Sequence, residues 1–155
     1  MATGLSTILG VNLVTPRGVV AHTDADSVQA PGENGEFELL PGHVPLLAAL
    51  RPGVLTIGGG RPGQEAGAAG SVTRGQRARY AVSSGYLRVD PSGIVEILVE
   101  QAQPAGDVDA EVAKKDLAAA EAELAKWGDK PLDGDYLNVQ QRAGWARARI
   151  DAVMH

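Results

Sequence analysis

The chain has 155 residues, enough for one good hydrophobic core or for one small domain with an appendage. Its hydrophobic content of 44% and mean hydropathy of -0.08 are typical of an ordinary folded protein and exclude a disordered one. The net charge of -5 argues against a general nucleic-acid binder, which needs a basic face, and the absence of cysteine excludes disulfides and thiolate sites.

The beginning of the chain lacks a basic start and a long apolar segment, so the sequence predicts no signal peptide. No window reaches the apolar length that a transmembrane helix needs. We therefore expect any association with a membrane to be peripheral and to depend on a partner. The lack of cysteine fits a reducing cytosol.

The chain from Thr7 to Gln103 has the pattern of β-structure, in which short runs of Val, Ile and Leu alternate with Pro and Gly turns. Residues 90–93, with the sequence DPSG, are typical of a hairpin turn. The strand that follows has one fully apolar face and one mixed face. Short strands with regular turns predict a β-sandwich or barrel. After the first two strands we expect further ones at residues 27–30, 54–57, 78–82, 86–89 and 94–99.

Residues 58–75 form a glycine-rich break in which Gly58, Gly60 and Gly63 match the GxGxxG spacing of dinucleotide-binding loops. That motif needs a helix N-terminus directly after it to hold a pyrophosphate. Here Pro62 and further Gly and Ala residues follow without a helical period. We expect a flexible loop that elaborates a strand connection, and no bound cofactor.

The composition changes at residues 103–106, beyond which alanine is abundant, as is typical of helices. Asp107 and Asp109 are placed to cap a first helix, which Gly128 ends, and Asp135 is placed to cap a second. The short turn between them predicts an antiparallel hairpin. Apolar residues recur every three or four positions, at Leu117, Ala120, Leu124 and Trp127 and then at Tyr136, Val139, Ala143, Ala146, Ile150 and Val153.

The predicted contact between these two helices is weak. Alanine supplies much of it, and an alanine methyl yields far less on burial than the ~1.5–3 kcal/mol of a Leu or Ile side chain. We therefore expect a hairpin that can leave the sandwich. Each helix would be about 27 Å long, so an opened pair could reach on the order of 50 Å.

The sequence contains no persuasive catalytic set. His22, His43 and His155 lie far apart without ligand-spaced neighbours, which argues against a metal site. Residues 83–85 are not a nucleophile elbow, and there is no Walker A motif. We interpret Asp24 and Asp26 as solvated turn residues.

Residues 35–53 carry a run of motifs in fixed order: a Gly-Glu pair, Pro-Gly-His, Pro-Leu and a final Pro-Gly. This run resembles the signature of the epsilon subunit of F-type ATP synthase. It departs from that signature at Phe37 and Glu38, where a Leu-Gly pair is more usual. The sandwich and helical hairpin extend the resemblance over nearly the whole chain.

The resemblance implies contacts with partners. In the family, the residues that match Glu36 and His43 lie on the edge of the sandwich that meets the ring of c subunits, although both also suit a purely structural role beside a turn. Arg142, Arg147 and Arg149 lie off the predicted apolar stripe. They suit either a solvated face near a helix C-terminus or, by the resemblance, contact with an acidic loop on the catalytic subunits.

Some bacterial relatives bind ATP through an Ile/Leu-Asp-x-x-Arg-Ala motif at the start of the first helix. Residues 108–113 match it in Asp109 and Ala113, but Val112 stands where an arginine would meet phosphate. An aliphatic side chain cannot make that bidentate contact, so we expect no cofactor.

The predicted fold is α+β, with an N-terminal β-sandwich at residues 1–103 and a C-terminal antiparallel two-helix hairpin at residues 107–155. The resemblance implies a non-catalytic rotor subunit in the central stalk of a proton-translocating synthase, at the cytoplasmic side of the bacterial inner membrane. Its implied partners are the gamma subunit, the c-subunit ring and the alpha and beta subunits, and its helices would inhibit ATP hydrolysis. The alternative is a freestanding β-sandwich binding module with a helical tail.

Overall fold

A computed structural model of the protein describes residues 8–59 and 77–154. The strands are β1 (Leu9–Thr15), β2 (Gly18–Ala25), β3 (Ser27–Gly32), β4 (Gly35–Leu39), β5 (Leu46–Leu50), β6 (Gly53–Gly58), β7 (Arg77–Val82), β8 (Gly85–Val89), β9 (Ile94–Val99) and β10 (Ala102–Pro104). A short 3-10 turn (Ala105–Asp107) leads into the helices α1 (Ala110–Ala125) and α2 (Gly134–Met154). The predicted α+β fold class, a sandwich followed by two helices, is confirmed.

The strands form one sheet in the order β10-β7-β6-β3-β5-β8-β9-β1-β2, and β4 pairs with β3. All strand pairs are antiparallel except β1 with β9. The sheet folds over a single core, because inward side chains from both of its halves belong to one buried cluster. That cluster includes Leu9, Val11 and Leu13 of β1, Leu55 and Ile57 of β6, and Leu87 of β8.

The hairpin between β8 and β9 confirms the turn predicted at residues 90–93. The Asp90 carboxylate accepts hydrogen bonds from the hydroxyl of Ser92 at 2.7 Å and from the backbone N–H of Ile94 at 3.0 Å. These bonds, led by that from the Ser92 hydroxyl, lower the pKa of Asp90 below its usual value. Gly93 has a φ of +87°, a conformation that side chains disfavour.

The residue that caps α1 is the one predicted from the sequence, whereas the residue that caps α2 is a different one. The Asp109 side chain accepts from the backbone N–H groups of Glu111 and Val112 and caps α1, as predicted. At α2 the capping carboxylate belongs to Asp133, which accepts from the N–H groups of Asp135 and Tyr136. The prediction of Asp135 as the cap is therefore wrong. Asp135 lies in the first turn instead, where its charge still suits the positive end of the helix dipole.

Helix α2 has two buried faces rather than the single predicted stripe. Its first half packs on α1, where Val139 and Ala143 meet Ala120. Its second half packs on the sandwich, where Ala148 and Ala152 form a buried cluster with Ala81 of β7. The predicted stripe is wrong at its end, because Val153 is 42% exposed while the two alanines are buried. The hairpin is therefore folded down against the sheet.

Two sequence predictions fall on residues that the structure does not describe. Most of the glycine-rich segment 58–75 and His155 lie outside the described ranges. Among the residues within them, no group of three or more His, Asp or Glu side chains is arranged to hold a metal ion. No helix in the same ranges is long and apolar enough to cross a membrane.

Candidate functional site: an outer sheet face and an arginine-bearing helix

The motif-rich run at residues 35–53 forms β4, a turn and β5. Glu36 is exposed on β4, opposite Pro31 of β3. His43 lies in the turn, where its N–H donates to the carbonyl of Leu40 at 3.1 Å and its Nδ1 lies 2.8 Å from the carbonyl of Val44. Leu40 and Val44 on either side of it are 53% and 69% exposed.

Glu36 and His43 do not meet. Glu36 lies near the start of β4, and His43 lies in the turn after the end of that strand. The three strand residues that follow Glu36 span about 10 Å at a rise of roughly 3.3 Å per residue. The two sequence-predicted contact residues therefore occupy different parts of the sandwich edge. A single partner would have to span both.

The outer face of the sheet carries an apolar row that crosses five strands. Strand pairing places Ala49 beside Tyr86, Tyr86 beside Leu98, Leu98 beside Val14, and Val14 beside Val19. Tyr86, Leu98 and Val19 are 58%, 50% and 66% exposed. Directly paired side chains lie on the same face of a sheet, so these five residues form one continuous surface strip, called the apolar row below.

A second row runs parallel to the apolar row, two residues away from it on four strands and three residues away on β2, where the pairing with β1 has a bulge. It contains the ion pair between Arg88 and Glu96 and the hydrogen bond between His22 and Asn12, with the exposed Leu47 at its end. The hydrogen bond from Arg88 to Glu96 is the main cause that raises the pKa of Arg88. The polar groups of this row pair with one another. The adjacent apolar row, in contrast, exposes hydrophobic side chains to solvent without covering them.

Sequence reasoning missed the apolar row. The only signal was the mixed outer face of β9, in which Leu98 stands among glutamates. Assembling the row requires the parallel pairing of β1 with β9, and no local pattern encodes the pairing of strands so distant in the chain. A contiguous exposed apolar strip of this kind is a candidate contact surface for another molecule.

The three arginines of α2 for which the resemblance implies a partner contact are paired with carboxylates of α1 in the folded-down hairpin. Arg142 lies 2.6 Å from Glu123 and Arg149 lies 2.8 Å from Asp116. Arg147 lies 3.7 Å from Glu121. The three pairs are called the arginine ladder below.

Arg149 differs from the other two. Its side chain is only 13% exposed, and its guanidinium lies 5.4 Å from the ring centroid of Trp145. Its Nε is buried without a hydrogen-bond partner among the described residues. The interpretation of this residue as part of a solvated face is therefore wrong, whereas Arg142 and Arg147 are exposed.

The segment that matches the nucleotide motif, residues 108–113, forms the N-terminal cap and first turn of α1. The Asp109 carboxylate caps α1, and Val112 is 47% exposed with an aliphatic side chain. The segment thus presents no cation at the position where the motif has its arginine.

Comparison with known proteins assigns the sandwich to a protein family. The family model described as the β-sandwich domain of the ATP synthase delta/epsilon chain matches residues 8–105. The protein is thus a sandwich-and-hairpin subunit of the delta/epsilon class.

Similarity to full-length relatives narrows this class. The chain is 37% identical to an ATP synthase epsilon chain of Geobacter metallireducens over 92% of this chain and 89% of that one. It is 34% identical to the epsilon chain of a Synechococcus species (strain RCC307), over 94% and 96% of the two chains. The chain belongs to the ATP synthase epsilon chain family.

Solved structures agree on the fold. A chain in the Euglena gracilis mitochondrial ATP synthase, in a structure of its OSCP, F1 and c-ring, superposes with a TM-score of 0.73. The identity is 19%, and the match covers all of this chain and 87% of that one. A chain from the central stalk and c-ring of the Tetrahymena thermophila enzyme gives 0.55 at 18% identity, over 94% and 96% of the two chains.

Proposed function

We propose that the protein is a non-catalytic rotor subunit in the central stalk of a proton-translocating F-type ATP synthase. In this role it joins the gamma subunit to the c-subunit ring, peripheral to the cytoplasmic side of a bacterial inner membrane. The observation that carries the proposal is the apolar row on an epsilon-type sandwich. A rotor subunit must bind its neighbour tightly. Burial of the exposed side chains of Tyr86, Leu98 and Val19 against that neighbour would contribute hydrophobic binding energy.

The edge formed by β4 and the following turn is proposed to meet the c-subunit ring. Glu36 offers an exposed charge, while Leu40, His43 and Val44 form a turn with two exposed apolar side chains. The turn is held by the hydrogen bonds of His43, so it presents these side chains on a rigid scaffold. The Glu36 and His43 contacts are supported by the resemblance of residues 35–53 to the family signature.

The helical hairpin is proposed to restrain ATP hydrolysis when it extends toward the alpha and beta subunits. Its attachment to the sandwich rests largely on small side chains, Ala81 against Ala148 and Ala152. Alanine contacts of this size contribute little free energy each, so an opening hairpin is physically reasonable. The arginine ladder adds a condition: Arg142 and Arg147 must leave carboxylates of α1 before they meet an acidic partner.

The test is ATP hydrolysis by the reconstituted catalytic complex with the full chain and with a chain that ends at Asp107. The main core cluster draws all its members from the sandwich, so the shortened chain keeps that core. Faster hydrolysis with the shortened chain, at equal assembly, supports the inhibitory role. Equal rates would leave a structural role only, and failure of both chains to join the complex would refute the rotor assignment itself.

A further inference from the structure

Trp145 of α2 lies at the contact between the hairpin and the sheet. Its partly buried ring packs against the alanine cluster that joins α2 to Ala81 of β7. The neighbouring Gly144 allows the helix to come close to the sandwich, since a Cβ added there would lie 3.0 Å from Cγ of Pro52. Trp145 and Pro52 line the same groove between α2 and the sandwich. The position of the Trp145 ring therefore depends on the docking of the hairpin on the sheet.

The same ring also contacts an ion pair that joins α2 to α1. Arg149 follows Trp145 by one helical turn, and its guanidinium lies 5.4 Å from the ring centroid. Nη2 of Arg149 lies 2.8 Å from Oδ2 of Asp116 on α1. A cation over an aromatic ring is held more strongly where water is excluded. Trp145 thus touches both contacts of α2, the one with the sheet and the one with α1.

Shelter from water sets the strength of this ion pair. The Arg149 side chain is 13% exposed, and its Nε is buried without a hydrogen-bond partner among the residues that the structure describes. Opposite charges attract more strongly in less polar surroundings, whereas exposed pairs contribute little. If the Trp145 ring lost its support on the sheet, water would reach the guanidinium and hydrate Nε. The attraction between Arg149 and Asp116 would then weaken.

We propose that Trp145 couples the undocking of the hairpin from the sheet to the separation of α1 from α2. When α2 leaves the sheet, the ring no longer shelters Arg149, so the two helices come apart in the same step. Coupling of this kind is reciprocal, so loss of the Asp116 pair also favours undocking. The reason is that a docked hairpin would then hold a sheltered arginine without its partner.

The coupling determines when Arg149 is available to a partner. In the docked hairpin its charge is paired and sheltered, and it is withheld from an acidic surface. Since α1 packs chiefly on α2, weakening the pair releases α1. Arg149 is then exposed only in a hairpin that has both undocked and opened. This consequence deepens the proposed inhibition of ATP hydrolysis and rests on it, whereas the coupling itself is a property of the isolated chain.

Distances between spin labels in the isolated full chain test the coupling. The chain has no cysteine, so cysteines introduced in pairs carry the only labels. Arg17→Cys with Met154→Cys reports docking, and Lys115→Cys with Met154→Cys reports helix pairing. Arg17→Cys with Glu38→Cys reports the sandwich itself. All four positions are exposed, and each pair is followed in increasing urea, which finally opens every contact.

The variants are compared at the urea concentration at which half of the natural chain is undocked. There Asp116→Asn should raise the ratio of undocked to docked chains at least ~5-fold, because it leaves the sheltered cation unpaired. Trp145→Leu keeps an apolar contact with the sheet but lacks the aromatic face. In that background Asp116→Asn should change the ratio less than ~2-fold.

Two further variants serve as controls. Asp116→Glu keeps the negative charge and should retain most of the docking. Glu123→Gln breaks the exposed pair with Arg142 and should change the docking ratio less than ~2-fold.

Any of three results would overturn the proposal. The first is a docking transition that coincides with unfolding of the sandwich, since the hairpin would then not undock separately. The second is an unchanged docking ratio in Asp116→Asn. The third is an equal effect of Asp116→Asn with and without the Trp145 ring, which would make the two contacts independent of that residue. None of these measurements involves the synthase, so such a failure is distinct from a failure of the proposed role in hydrolysis.

Discussion

Arg149 of α2 and Asp116 of α1 form the most sheltered ion pair of the arginine ladder, with 2.8 Å between Nη2 and Oδ2. The Arg149 side chain is 13% exposed, against 58% for Arg142 and 60% for Arg147. Trp145 covers its guanidinium. The pair therefore fastens α1 to α2 from within the hairpin, whereas the other two pairs lie on its surface.

Replacing Asp116 with Asn should destabilise the hairpin, because it leaves the arginine charge sheltered and unpaired. Breaking a fully buried pair costs about 3–5 kcal/mol. Asp116 is 52% exposed, so solvent screening reduces the expected loss to about 1–2 kcal/mol. Urea unfolding followed by helical circular dichroism measures it. The matched control Glu123→Gln breaks the exposed pair with Arg142 and should cost at most ~0.5 kcal/mol; equal losses would contradict the distinction.

Asp90 predicts a dependence of stability on pH. Hydrogen bonds led by that of the Ser92 hydroxyl lower its pKa in the folded chain. Because the pKa of Asp90 is lower in the folded chain than in the unfolded chain, its carboxylate stabilises the fold at any pH above the pKa of the unfolded chain. This stabilisation is lost as the pH falls through the pKa of the folded chain. The variant Asp90→Ala should therefore have a lower melting temperature than the natural chain at neutral pH. The difference between the two melting temperatures should become smaller at acidic pH. A difference that stays constant down to strongly acidic pH would show that the carboxylate charge plays no part.

Glu36 and His43 are predicted to affect coupling rather than folding. Both lie on the sandwich surface outside the core cluster, so Glu36→Gln and His43→Ala should each change the melting temperature little. In reconstituted membranes each should lower ATP-driven proton pumping relative to ATP hydrolysis. Glu38→Gln is the matched control, since Glu38 is also exposed on β4 and contacts Gln29. Pumping unchanged in both variants would remove these residues from the proposed c-ring contact.

The sequence predicted both helices and seven of the ten strands in the described part of the chain, because turns and helix caps are local; it missed β4, β5 and β10. Asp109 and the turn at residues 90–93 act within a few residues of chain, and both are confirmed. The faces of α2 were harder to predict. Alanine tolerates burial and exposure almost equally, so only the approach of the sheet decides that Ala148 and Ala152 are buried.

The candidate site was less predictable than the fold. The apolar row depends on the parallel pairing of Val14 with Leu98, which are 84 positions apart in the numbering of the chain. The arginine ladder depends on how α1 and α2 are rotated about their axes. Both are properties of the tertiary arrangement, and residue spacing within one element does not contain them.

The apolar row predicts a sharp loss of assembly without loss of folding. Tyr86 and Leu98 are neighbours in it and are half exposed or more, so Tyr86→Glu and Leu98→Glu should leave the core intact. A charge at the centre of a buried contact should weaken binding to the gamma subunit at least ~10-fold. Leu132→Glu, at a 75% exposed position between the helices, is the control. Undiminished co-purification of both row variants with the catalytic head would refute the row as the docking surface.

The surface pairs of the arginine ladder predict how the hairpin could be biased toward extension. Neutralising Glu121 and Glu123 by Glu→Gln removes the partners of Arg147 and Arg142 without changing α2. Each exposed pair contributes about 0.2–1 kcal/mol, so the double variant should favour the open hairpin severalfold and inhibit ATP hydrolysis more strongly. The effect should shrink in high salt, which screens the natural pairs as well. Glu111→Gln is the control, because Glu111 lies on α1 but pairs with Lys114 of the same helix. Weaker inhibition by the double variant would show that these carboxylates contact the catalytic complex themselves, which would contradict their role as internal partners that hold the arginines back.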